Sequence, residues 1–226
     1  ERVSGILNGV DEGVWNPTCC PFLDSRYDLK HITARKPNKA ALQREMGLDE
    51  DASAPLFGVI SRLQEIKGLD MLPPNLDHLL ALGAQLVVLG SGDPALEADF
   101  HEAAQLHPGR IAARIGYDEA LSHRILAGVD VLLVPSREEP CGLTQLYAMR
   151  YGALPLVRCT GGLADTVVDT NPATLADGSA TRRAPEPDRN HLWQTDDSVK
   201  SASIRAIRLS TNHVIQSLQS YSCCTM

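Results

Sequence analysis

Residues 110–136 read RIAARIGYDEALSHRILAGVDVLLVPS. RIAARIG (110–116) and VDVLLVP (129–135) read as short, largely apolar strands, while YDEALSHRILAG (117–128) between them has helical spacing. The same rhythm extends outward. LFGVIS (56–61), QLVVLG (85–90) and LPLVR (154–158) are further short strands. ALEADFHEAAQLH (95–107) is a helix with Leu96, Phe100 and Ala103 or Ala104 on one side. LTQLYAMRYG sets Leu143, Leu146 and Met149 on one helical face and stops at Gly152. A further helical segment begins near Lys67, where Pro73 and Pro74 must break or restart it. Strands that are apolar throughout, and not apolar on alternate residues, are covered on both faces. With right-handed crossovers they make an α/β protein with a doubly wound, Rossmann-like parallel sheet. Ligands of such sheets bind beyond the carboxyl ends of the strands. SRLQEIKG, GSGD, GYDE, SREEPCG and RCTGG all fall just past such ends.

Composition narrows the function. A chain of 226 residues, 43% hydrophobic and 22% charged, holds one large or two small globular domains. Its formal net charge of −7 speaks against a nucleic-acid partner. No apolar run approaches the ~20 residues needed to cross a bilayer, and no signal-peptide pattern opens the chain, so no membrane partner is expected. Of the six cysteines, Cys19-Cys20 and Cys223-Cys224 are adjacent pairs, a poor disulfide framework. With no CxxC pair and no HExxH, no metal site is expected, and the thiols read as reduced.

The candidate residues sit on the rim, each with a plain alternative. Arg62 and Lys67 straddle the end of the first strand. Such a pair can clamp a diphosphate, Arg bidentately and Lys as a point charge, although solvated surface charge is the commoner fate of two cations. GSGD (90–93) lacks the spacing of a phosphate loop and reads as a tight turn. Tyr117 can stack on a nucleobase or pack half-buried. In SREEPCGLTQ (136–145), Pro140 fits the first position of a helix. Glu139 can then accept sugar hydroxyls or complement the helix dipole, and Cys141 is a reactive or a packing thiol. Gly142, Leu143 and Thr144 offer amides to a phosphate. TGGL (160–163) is a second glycine-rich turn, nonspecific by itself.

Together these strings resemble the bacterial glycogen synthase and plant starch synthase family. GILNGVDEGVWNP (5–17), KAALQREMGL (39–48) and PLFGVISRLQEIKGLD (55–70) carry the likeness. QLVVLGSGDPALE, RIGYDEALSHRILAGVDVLLVPS, EPCGLTQLYAMRYGALPLVR and TGGLADTV extend it. The resemblance implies the C-terminal half of a GT-B glycosyltransferase over residues 1–181. It further implies glucose transfer from ADP-glucose to the non-reducing end of an α-1,4-glucan with retention, and no metal or other cofactor. Under it Arg62 and Lys67 hold the diphosphate, Glu139 holds donor-sugar hydroxyls, and Tyr117 stacks on adenine. Gly142, Leu143 and Thr144 present amides to the distal phosphate, Cys141 lies in the donor pocket, and Asn8 sits near the interdomain cleft. Glu138 stands where the family usually has Phe, a second carboxylate expected to weaken anion binding.

The resemblance fades after NPATLADGSAT. Residues 182–226 are expected to form a divergent tail, disordered or out of frame with the family. An N-terminal GT-B domain carrying the acceptor face is expected as the missing partner, so this chain alone should show negligible synthase activity. The alternatives are an isolated ADP or ADP-glucose binding half-domain and a non-functional truncated product. The expected location is the bacterial cytoplasm in preference to a plastid, since no transit peptide is visible.

Overall fold

A computed structural model describes residues 5–169. The expected tail over 182–226 lies outside the described residues, as do residues 170–181. Five strands form one parallel sheet: β1 (Leu56–Ile60), β2 (Gln85–Gly90), β3 (Ile111–Ile115), β4 (Val131–Val134) and β5 (Leu154–Val157). Their order is β3-β2-β1-β4-β5. The chain starts in the middle, steps outward twice, and returns to the other side of β1. That is the doubly wound arrangement, with its reversal between β1 and β4.

The helices are α1 (Lys36–Met46), α2 (Leu76–Ala81), α3 (Pro94–Leu106), α4 (Glu119–Gly128), α5 (Thr144–Arg150) and α6 (Gly161–Thr166). Leu56, Val87, Leu89 and Leu132 pack on one face of the sheet against Leu42 of α1, Ile125 of α4 and Ala148 of α5. Phe57, Val59, Leu86, Val88 and Leu133 pack on the other against Leu76 of α2 and Phe100 of α3. The central strands β1, β2 and β4 are therefore largely dry on both faces, which is why they read as apolar runs, while Arg114 and Ile115 at the end of β3 are exposed. Gly58 lets α4 lie close on β1: a Cβ there would come within 2.8 Å of Val129 Cγ1. Two helices start as their sequences require. Asp93 caps α3 by accepting from Ala95 N at 2.8 Å, ahead of Pro94, and Asp118 caps α4 from Leu121 N at 2.8 Å.

Two expectations need correction, and one helix had no expectation at all. No α-helix begins near Lys67. Single 3-10 turns occupy Glu65–Lys67, Leu69–Met71 and Pro73–Asn75 before α2 starts at Leu76. Gly68 at φ 68° and the two prolines stop any α-helix from propagating. Next, α5 starts at Thr144, so Pro140 is not its first residue; Gly142 at φ 73° turns the chain between them. The buried face of α5 is Gln145 and Ala148, while Leu143, Leu146 and Met149 stay partly or fully exposed. Finally, α1 went unassigned in the sequence because its buried side carries Asn38 and Gln43 beside Leu42.

The segment ahead of α1 is strapped across α4 and α5. Trp15 is sandwiched between His123 and Tyr147, with ring centroids at 4.1 and 4.0 Å. Tyr27 donates its hydroxyl to Tyr151 O at 2.8 Å, and burial pushes that phenol's pKa up to about 12. Burial also holds the His123 imidazole below its usual pKa. Arg35, 9% exposed, spans both helix ends, donating to Tyr151 O at 3.1 Å, to Leu126 O at 3.3 Å and to Val129 O. These carbonyls have no partner within their helices and carry the negative end of the dipole. Arg35→Met is expected to orphan them at a cost of about 2 kcal/mol, lowering Tm by about 4–8 °C. A thermal melt within 1 °C of the parent would contradict that role.

Candidate functional site

A pocket opens at the reversal point, beyond the carboxyl ends of β1 and β4. Ile60, Ser61 and Arg62 line it from β1, and Val134, Pro135 and Ser136 from β4. Lys67, Glu139, Gly142, Leu143, Thr144 and Gln145 complete it. Six of the nine residues singled out in the sequence thus meet in one cavity: Arg62, Lys67, Glu139, Gly142, Leu143 and Thr144.

Lys67 Nζ lies 2.6 Å from Glu139 Oε2, with the two side chains only 18% and 14% exposed. Ser136, buried, donates its hydroxyl to the same carboxylate oxygen at 3.1 Å. An ammonium has three donors, so one goes to Glu139 and two remain for a ligand. The Arg62 side chain is exposed at the pocket rim and makes no ion pair among the described residues. The amides of Gly142, Leu143 and Thr144 have no acceptor among the described residues. Two cations and a run of free N–H groups therefore face one space, beside a carboxylate already neutralised by Lys67. Such a space suits a diphosphate next to a polyol. Among the described residues, no group of three His, Cys, Asp or Glu side chains is placed to hold a metal ion.

The surrounding loops fix this geometry. GSGD is a structural turn. A Cβ on Gly90 would sit 2.0 Å from Ser61 O, and Leu63 N donates to Ser91 O at 2.9 Å, so the turn grips the segment carrying Arg62. Arg137, which sequence reasoning passed over, ties the Lys67 turn to the Glu139 loop. It donates to Asp70 through both terminal nitrogens at 2.5 and 2.7 Å, and its own amide donates to Ile66 O at 2.9 Å. Its hydrogen bonds hold the Asp70 carboxyl below the usual carboxylate range. TGGL is more than a nonspecific turn, because Gly161 and Gly162 abut Glu139 O and the Cys141 backbone.

The other three candidates are elsewhere. Tyr117, 86% exposed past β3, donates its hydroxyl to Glu119 at 3.1 Å. One strand, β2, lies between β3 and β1, so two strand spacings, about 10 Å in all, separate Tyr117 from β1 along the rim. Asn8 is exposed in irregular chain and does not line the pocket. Cys141 is half-buried behind the loop, with its carbonyl accepting from Gln145. Glu138 is exposed and outside the lining, which leaves it only a screened, long-range influence on an anion. Gln145 and Ser136 were missed; a buried polar residue has no periodic signature.

The comparisons agree with this architecture. A family model described as "Glycosyl transferases group 1" matches residues 54–184. A glycogen synthase of Methylocella silvestris is 56% identical over 181 residues, and one of Yersinia pseudotuberculosis is 58% identical over 180. Each match covers 80% of this chain, which spans 38% of the length of those relatives. The catalytic domain of Starch Synthase IV from Arabidopsis thaliana, solved bound to ADP and acarbose, superposes with a TM-score of 0.81 at 33% identity. That superposition covers 94% of this chain and 44% of the other, and its fold is of the GT-B type. No helix among the described residues is long and apolar enough to cross a membrane. The chain belongs to the group 1 glycosyl transferases, in the glycogen and starch synthase family.

Proposed function

We propose that this chain forms the donor half of a glucan synthase that transfers glucose from ADP-glucose, with retention, to the non-reducing end of an α-1,4-glucan. The observation that supports it best is the convergence of Arg62, Lys67, Glu139 and the free amides of Gly142–Thr144 on one pocket. In this reading Arg62 and Lys67 take the charge that builds on the departing ADP, so no metal or other cofactor is needed for that task. Glu139 accepts donor-sugar hydroxyls while Lys67 keeps its charge balanced. The amides of Gly142, Leu143 and Thr144 hold the distal phosphate. Tyr117 offers an open ring on the same rim for adenine, Cys141 backs the donor loop, and Asn8 is assigned to the cleft between domains.

Residues outside this sequence are proposed to supply the acceptor face, since donor and glucan must be oriented together in a closed cleft. Alone, the chain is then an ADP-binding module, a reading favoured by its 38% coverage of the relatives. The bacterial relatives and the free thiols Cys19, Cys20, Cys141 and Cys159 support a bacterial cytoplasmic setting.

Calorimetric titration with ADP is the test. Saturable binding is expected, and Arg62→Ala weakens it about tenfold, the loss of one exposed charge-assisted contact worth ~1.4 kcal/mol. If a demonstrably folded chain gives no binding heat at millimolar ADP, the reading fails.

A further inference from the structure

Gln145 is fully buried on α5, yet its Oε1 has no hydrogen-bond donor. Its Nε2 donates twice, to Cys141 O at 2.9 Å and to Thr166 Oγ1 at 3.2 Å. Thr166 in turn commits its hydroxyl proton to Gly162 O at 2.6 Å, and Gly162 N donates to Glu139 O at 2.9 Å. Together with the chain from Glu139 through Pro140 to Cys141, these bonds close a ring that runs on through Gln145, Thr166 and Gly162. Rotating the amide would set Oε1 against Cys141 O, oxygen to oxygen, so its orientation is settled. A leucine at 145 would bury no orphan acceptor. The glutamine accepts that cost because only a two-proton donor can bridge the Cys141 carbonyl and the Thr166 hydroxyl at once.

We propose that Gln145 and Thr166 are positioning residues for the donor sugar, acting through this ring to set the height of the Glu139–Gly142 loop. Neither side chain needs to touch the ligand. The ring presses the loop onto α6 from behind, which leaves the Glu139 carboxylate on Lys67 and turns the Gly142–Thr144 amides into the pocket. The proposal rests on the reading of Glu139 as the sugar-binding carboxylate.

Two measurements on the whole chain separate the outcomes. In unliganded protein, Thr166→Val is expected to shift and broaden the amide resonances of Gly142, Leu143 and Thr144, while Thr166→Ser leaves them as in the parent. That reads the loop whether or not any nucleotide binds. In titrations, Thr166→Val is expected to weaken ADP about threefold through the displaced amides and ADP-glucose at least tenfold, because only the sugar also loses its contact with Glu139. Thr166→Ser restores both, and Gln145→Leu, if it folds, moves in the same direction. Unchanged amide resonances in Thr166→Val overturn the positioning role. Equal weakening of both ligands in step with a lower thermal midpoint, without rescue by serine, overturns it as well. A parent that binds neither ligand but shows the shifts sinks the donor-site reading and leaves the ring intact.

Discussion

Gly162→Val is expected to destabilise the protein by about 4 kcal/mol and to abolish nucleotide binding, more than a simple glycine replacement should. A Cβ at this position would lie 2.3 Å from Cys141 Cα, 2.3 Å from Cys141 O and 2.6 Å from Cys141 C. All three are backbone atoms, which cannot swing aside as a side-chain tip can. Either α6 retreats, breaking the bond from Gly162 N to Glu139 O, or the Glu139–Gly142 loop is pushed toward the pocket. A shift of about 1 Å is enough to cost a hundredfold in a positioned site. Gly83→Ala is the control. Its φ of 74° makes any side chain strained, but nothing lies within 4 Å, so about 1 kcal/mol is expected from backbone strain alone. Thermal melts should show a fall of about 8–16 °C for the first and 2–4 °C for the second. Equal melting points for the two variants would mean that the contact with Cys141 relaxes freely.

Lys67→Met is expected to lower ADP affinity about a hundredfold while leaving the backbone of the pocket in place. Two losses act together. The diphosphate loses a cation, and the Glu139 carboxylate, only 14% exposed, keeps Ser136 as a neutral partner and now repels the ligand. Stability should also fall, by about 2 kcal/mol, since a mostly buried charge is left without its counterion. The double variant Lys67→Met/Glu139→Gln should recover most of the stability but only part of the affinity. Such a cycle separates the structural worth of the pair from its work on the ligand. ADP affinity within threefold of the parent in Lys67→Met would remove the lysine from the donor site.

The sheet was legible because its signal is local and redundant. Each strand is apolar at most of its positions, and turn or cap residues such as Asp93-Pro94 separate strand from helix. The strand limits in the structure agree with the sequence to within two residues at each end. The pocket was legible only as a pattern. Arg62, Lys67 and Glu139 are each ordinary surface residues until the family motif puts them together. Contacts between distant parts of the chain left no trace in the sequence. Gln145 bonds to a partner 21 residues away, and Arg137 to one 67 residues away. The search for an apolar stripe on α5 therefore favoured Leu143, Leu146 and Met149 over the polar side chain that faces inward.

The place of β1 in the sheet also orders the assembly of the molecule during synthesis. It is first of the strands in the chain and central in space, so its two edges are completed at different times. The edge toward β2 closes once residue 89 has emerged, the last of its register partners, and β3 can add to it by residue 115. The edge toward β4 must wait for Val131 and Leu132. A nascent chain holding residues 56–115 thus has a three-stranded half-sheet with an open, apolar central edge, the surface most prone to wrong pairing. The Lys67–Glu139 pair and the pocket can form only after that edge is capped. High contact order at the centre thus makes the pocket wait for the second half of the sheet, and pausing in translation between residues 116 and 131 would lengthen the exposure.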